Sequence, residues 1–173
     1  MGALVWSAEA RATTARAISL QDLVSRSTRV LRGTPVDSFA RSEAIGGVQH
    51  IVTYSRLRIE EAVLGEAREP EALVRTLGGR LSDVGEIVHG EAELAINESC
   101  LVFLRTDSEG VELVTAMAQG HYPIAADAQG TPRLQASRNM PHLLRNASSS
   151  AAVAQLQGLR FEEARSLISG VRP

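Results

Sequence analysis

The segment from Gln49 to Leu64 constrains this chain most, because its side chains alternate over the longest stretch in the sequence. Ile51, Thr53, Ser55, Leu57 and Ile59 fall on one face, and Val52, Tyr54, Arg56, Arg58 and Glu60 on the other. A two-residue period is that of an extended strand. Gly46-Gly47 stands just before it, preceded by a β-patterned stretch with Val30, Leu31, Thr34 and Val36 and a polar run around Ser38 to Glu43. Two such segments joined by a Gly-Gly turn read as a hairpin.

Further strand signals follow at short intervals. Ala72 to Leu77 is a short strand stopped by Gly78-Gly79, two glycines that permit a sharp exit. Residues 80 to 97 have no clear period and are broken at Gly85, Gly90 and Asn97, so they read as a long loop, the kind of segment that often carries function. Ser99 to Arg105 is mostly apolar and reads as a central strand. Val111 to Ala118 and His121 to Ala126 flank Gln119-Gly120, and Asp127 to Gly130 supplies another turn. Ahead of the strands, Ser19 is a candidate N-cap for a short helix whose Leu20, Leu23 and Val24 share a face. The pattern predicts a mainly β fold: a small antiparallel five- to six-stranded OB-like barrel with a short N-terminal helix and a C-terminal helix.

The chain divides accordingly. Residues 18–131 form the β domain. Residues 132–158, rich in Gln, Ser, Asn and Ala, read as a flexible linker. In 159–170, Phe161, Ala164, Leu167 and Ile168 have helical spacing and Gly170 is a stop. That helix either covers an open sheet edge or docks a partner. Residues 1–17 carry two Ala-Arg-Ala triplets, at Ala10–Ala12 and Ala15–Ala17, each with the small-x-small pattern of a signal-peptidase site. Only Ala3 to Trp6 stand for an apolar region, so these residues are either the remnant of an export signal or a disordered Ala-rich tail. The first implies a periplasmic or secreted protein, the second a cytoplasmic one.

Composition removes several chemistries from a chain of 173 residues, long enough to bury roughly 70% of its unfolded surface without staples. All 18 basic residues are Arg, so lysine catalysis is out, and their even spread reads as the mark of a GC-rich genome. A formal charge of −2, with one Trp, two Tyr and three Phe, gives neither the basic groove nor the stacking platform of a nucleic-acid-binding barrel. The single Cys100 sits in an apolar strand with no His or basic neighbour, which reads as a buried structural thiol. No Gly-x-Ser-x-Gly elbow and no phosphate loop occurs. Glu60 and Glu61 are adjacent on a strand and point to opposite faces, so they cannot flank one bond. The four histidines, His50, His89, His121 and His142, lie far apart, and His89-Gly90-Glu91 lacks the paired cysteines of a zinc deaminase. No apolar run reaches the length of a membrane span.

Several segments together resemble an uncharacterised family of small exported bacterial proteins typical of myxobacteria. They are Leu20-Gln-Asp-Leu-Val, Gly33-Thr-Pro-Val, Ile51-Val-Thr-Tyr, Val74-Arg-Thr-Leu-Gly-Gly, Cys100-Leu-Val-Phe-Leu and Ala118-Gln-Gly-His-Tyr. The resemblance implies a netrin- or tissue-inhibitor-like barrel, and it brings an exported matrixin-like metalloprotease in as a possible partner. True tissue inhibitors use an N-terminal cysteine and several disulfides, whereas the one cysteine here is far from the start, so no inhibitory residue carries over.

The function expected is a non-enzymatic, exported module that binds a protein or a cell-envelope component and uses no metal or cofactor. The alternatives are an inhibitor or accessory protein of a metalloprotease, and a metal enzyme built on His89, Glu91 and His121. The contact surface is expected at Gly78, Gly79, Arg80, His89 and Glu91 of the loop and at Gln119 and Gly120 of the following turn.

Overall fold

A computed structural model describes residues 14–67, 69–144 and 150–171. Most of the export reading falls on residues outside that range. Its end does not: Thr14–Arg16 form strand β1, and the N–H of Ala17 donates to the Leu144 carbonyl at 3.0 Å. Helix α1 (Leu20–Ser25) follows as expected, with the Asp22 N–H donating to the Ser19 hydroxyl at 3.0 Å and Leu20, Leu23 and Val24 buried.

The expected hairpin is the spine of the molecule. Strands β2 (Arg29–Ile45) and β3 (Val48–Leu64) pair antiparallel along their whole length, with Ile45 opposite Val48. Gly46 and Gly47, at φ 60° and 82°, form the connecting turn, whose two left-handed positions match the twist of the arms. Register shifts at Val30/Leu31, Arg32/Gly33 and Pro35/Asp37 bend the first half of β2, and the hairpin curves because of them. Strand β4 (Glu71–Leu77) adds to β3. A separate small hairpin, β5 (Gly79–Leu81) and β6 (Val84–Glu86), comes next, then β7 (Cys100–Thr106), β8 (Glu112–Val114), a 3-10 turn at Met117–Gly120 and β9 (His121–Ala126).

The main sheet has seven strands, β9 being flanked by β10 (Pro132–Leu134), and its order is β10-β9-β7-β2-β3-β4-β8 with β8 also bonded to β7. The sheet therefore closes partly into a ring through β7, β2, β3, β4 and β8. This is larger than the five or six strands expected, and it is mixed rather than antiparallel: β4 and β8 run parallel while every other pair in the sheet is antiparallel. The reason is topological. Directions cannot alternate all the way round a ring with an odd number of members, so one parallel contact is unavoidable.

Several loop and linker expectations change as well. The stretch 132–158 contains β10, β11 (His142–Leu144, parallel to β1) and α2 (Ala152–Leu156), and Leu134 and Leu156 are completely buried. Its polar composition hid a few well-spaced apolar anchors. The expected strand Val111–Ala118 ends at Val114, because Ala116 and Met117 both adopt left-handed backbone at φ 57°. The loop 80–97 holds the β5–β6 hairpin and tucks Ala92 and Leu94 into the interior.

Two apolar clusters explain why β7 is apolar from Cys100 to Leu104. Cys100, Val102 and Leu104 join Leu31, Leu57, Val74 and Val114 among the ring strands. Leu101 and Phe103 face the other way, into a cluster with Leu23, Leu134, Leu156 and the Phe161, Ala164 and Ile168 stripe of α3 (Phe161–Gly170). A strand covered on both faces loses the polar half of its alternation. Helix α3 lies on the sheet, with Arg165 donating to Glu61 at 2.8 Å and the Arg32 guanidinium 4.8 Å from the Phe161 ring. No described helix is long and apolar enough to cross a membrane.

Candidate binding surface

Gly78 and Gly79 set the geometry of the expected contact loop. Their φ values of 87° and 139° turn the chain back across β3, where the Gly78 N–H donates to the Ile51 carbonyl at 2.7 Å and the Thr53 hydroxyl donates to the Gly78 carbonyl at 2.8 Å. A Cβ on Gly79 would stand 2.3 Å from Thr53 Oγ1, so only glycine allows this crossing. The β5–β6 hairpin that follows is held down by Glu86. Its carboxylate accepts from the Ile51 N–H at 2.6 Å and meets His50 Nδ1 at 2.8 Å. The hydrogen bond with His50, then that with Ile51, holds the Glu86 carboxyl below its ordinary range.

Beneath the hairpin lies a depression of about 430 Å³ lined by Thr76, Gly78, Gly79, Arg80, Glu91 and Asn139, among others. A smaller one of about 270 Å³, sharing Ile87, Val88 and Asn139 with it, reaches His89, Pro141 and His142. The structure thus brings Gly78, Gly79, Arg80, His89 and Glu91 to one region. Arg80 and His89 are exposed. Glu91 is not: its carboxylate accepts the Ala92 N–H at 2.9 Å and the Leu77 N–H at 3.2 Å, and burial pushes its carboxyl up despite those bonds. It pins the loop from within.

Gln119 and Gly120, expected on the same surface, are buried. The Gln119 side chain spans the N-terminal segment, its Oε1 accepting the Ile18 N–H at 3.0 Å and its Nε2 donating to the Arg16 carbonyl at 3.1 Å. A backbone bond joins the turn to the loop, the Ala118 N–H donating to the Gly90 carbonyl at 2.9 Å. His121 is buried too, with Nδ1 3.2 Å from the Ser137 hydroxyl, and burial lowers its pKa to about 4. His89, Glu91 and His121 do not converge. Among the described residues no group of three or more His, Cys, Asp or Glu side chains could hold a metal. Cys100 is buried, its thiol pushed up to about 12 by loss of solvent.

The residues the sequence reading missed are apolar. Leu81, Val84 and Ile87 are 39%, 65% and 83% exposed, and Leu81 and Val84 are paired across the β5–β6 turn. The signal was present as Leu81-Ser-Asp-Val84, a two-residue turn between apolar residues. Strands of three residues are too short to show alternation.

A second polar cluster also went unread. Arg75, 9% exposed, donates to Glu43 and Asp107 at 3.0 Å each. The Tyr54 hydroxyl donates to Glu43 at 2.7 Å, and Arg41 lies 4.6 Å from the centre of the Tyr54 ring, whose other neighbour is the stacked ring of Phe39 at 5.4 Å. Burial works to raise the Glu43 carboxyl, but the bonds from Tyr54, Arg41 and Arg75 outweigh it and hold it low. Its members come from β2, β3, β4 and the turn after β7, separated in sequence and joined only by the ring. The chain matches no known protein-family profile and no curated protein.

Proposed function

We propose that this protein is a non-enzymatic, exported module whose partly closed sheet is an OB-like barrel, and that it binds a protein or cell-envelope partner through the β5–β6 hairpin. One observation carries the reading: Leu81 and Val84, paired across the β5–β6 turn, and Ile87, directly after β6, are exposed on a segment that is anchored rather than free. Apolar side chains grouped on a rigid projection form a contact patch, since water is displaced from them without much ordering cost. The depressions beside it, edged by Arg80, His89 and Asn139, supply a polar rim. The small-x-small triplets and the resemblance to exported bacterial proteins support the compartment.

The test is capture from cell-envelope extract. The wild-type chain is expected to retain a specific partner, and Val84→Ser combined with Ile87→Ser to lose at least tenfold of that binding. Both positions are exposed, so the double variant should keep its thermal midpoint, with a stability change within about 0.5 kcal/mol per site. No specific capture by the wild type, or capture undiminished in the double variant, overturns the proposal. A Glu86→Ala variant is expected to weaken capture as well, with Val84 and Ile87 untouched, because it releases the hairpin from His50 and Ile51. Full retention of binding there would show that anchoring is irrelevant.

A further inference from the structure

The far half of β2 has an open edge. Strand β7 pairs with β2 only from Arg29 to Gly33, and the N–H of Asn97 bonds the Pro35 carbonyl at 2.8 Å. From Asp37 to Ile45, β2 is paired with β3 alone among the described strands, in unbroken register. This stretch contains no proline and no bulge, two of the devices by which sheets close such edges to further strands. Its side chains are accessible: Phe39 is 50% exposed, the Arg41 side chain 57%, and Ser42 is exposed.

One antiparallel alignment makes the sequence along this edge complementary to itself over the longest stretch. Residues opposite one another in a sheet share a face, so a two-fold axis perpendicular to the sheet must pass through a residue position and not between two. Placed at Ser42, the axis sets Arg41 against Glu43 of the second copy and Glu43 against its Arg41. Ala40 then faces Ala44, and Phe39 faces Ile45. Placed at Arg41 or Glu43, it opposes like charges at the centre. At Ala40 it sets Asp37 against Glu43. An axis at Phe39 also opposes Asp37 to Arg41 and Phe39 to its own counterpart, but it uses the open edge only from Asp37 to Arg41. The Ser42 alignment pairs opposite charges and apolar residues over the longer stretch Phe39 to Ile45, and each such cross-strand pair favours association. Phe39 is already fixed by its stack on Tyr54, so little freedom is lost when it meets Ile45.

We propose that the Asp37–Ile45 edge is a homodimer interface, at which a second copy of this chain adds its own β2 antiparallel about a two-fold axis at Ser42. The sheets of the two copies become continuous there. The Arg41 and Glu43 side chains, bonded to each other within one copy, become an alternating row of four charges across the two.

The alignment predicts a specific cross-link. Opposed residues in an antiparallel pair have Cα atoms about 4.5–5.5 Å apart, inside the roughly 4.4–6.8 Å range of disulfides. Ser42→Cys should therefore give a covalent dimer on mild oxidation, while Ser38→Cys, which faces Gly46 of the other copy, should not. The native Cys100 is buried and does not interfere. Sedimentation of the wild type is expected to show a concentration-dependent dimer at micromolar protein, and Arg41→Glu, which opposes carboxylates at both symmetric positions, to weaken it at least tenfold. A wild type that stays monomeric with no cross-link at Ser42→Cys overturns the proposal. So does a dimer that tolerates Arg41→Glu and links as readily through Ser38→Cys.

Discussion

Acidification from pH 7 to 4 is expected to cost the fold about 3 kcal/mol through His121 alone. Burial lowers the imidazole pKa from 6.5 to about 4, with the charge of Arg138 acting in the same direction. The folded pKa lies below the unfolded one, so the unfolded chain takes up a proton that the folded chain refuses. Stability is complete above pH 6.5 and drains away as pH falls through the interval down to 4. This window precedes the one set by carboxylates held below their ordinary values, Glu43, Glu86, Asp107 and Asp127, whose contributions are lost at still lower pH. Glu91 acts in the opposite sense, since its carboxyl is raised and its ionisation at higher pH opposes folding. Chemical denaturation at a series of pH values, with wild type and His121→Gln in parallel, measures the effect. The variant is expected to start lower, having lost packing, but to show a flatter slope between pH 6.5 and 4. Parallel curves would remove His121 as the cause.

Gly120→Ala is expected to abolish the native state, with a loss above about 4 kcal/mol. A Cβ at Gly120 would lie 2.0 Å from the Thr115 carbonyl oxygen, which is backbone and cannot rotate aside. Relief would require moving the 3-10 turn, and the neighbouring Gln119 would then release Ile18 and Arg16. Gly170→Ala provides the contrast. It ends α3 with nothing within 4 Å of the added methyl, and replacing a helical glycine gains up to about 1 kcal/mol. Circular dichroism and thermal melts of the two variants separate these outcomes. A soluble, cooperative Gly120→Ala protein within about 1 kcal/mol of wild type would refute the steric argument.

The legible part of this molecule was whatever repeats locally. Alternation from Ile51 to Glu60 and the Gly46-Gly47 turn announced the central hairpin, and Ser19 announced α1. Closure of the ring was not legible, because the β4–β8 contact joins Val74 to Glu112 and no short-range pattern records it. Leu134 and Leu156 were lost in polar surroundings for a related reason: each fills a site prepared by remote residues. At the candidate contact surface, glycine punctuation marked the sharp exit from β4 at Gly78 and Gly79. It misled at Gln119-Gly120, where the same signal marks a turn forced against Thr115 inside the protein. The exposed Val84 and Ile87 could not be told from core residues, since a sequence states that a side chain is apolar but not whether anything covers it.

The odd-membered ring has a consequence for the order of assembly. The β2–β3 hairpin closes across a two-residue turn, a contact that forms in microseconds when its partners are so near in sequence. Strands β4 and β8 are 38 residues apart at Val74 and Glu112 and share two register pairs, Val74 with Glu112 and Arg75 with Leu113. Their loop entropy is spent before much contact is gained. Folding is therefore expected to start at the hairpin, and the ring to close only when its two long-range seams form, β4 with β8 and β2 with the still more distant β7.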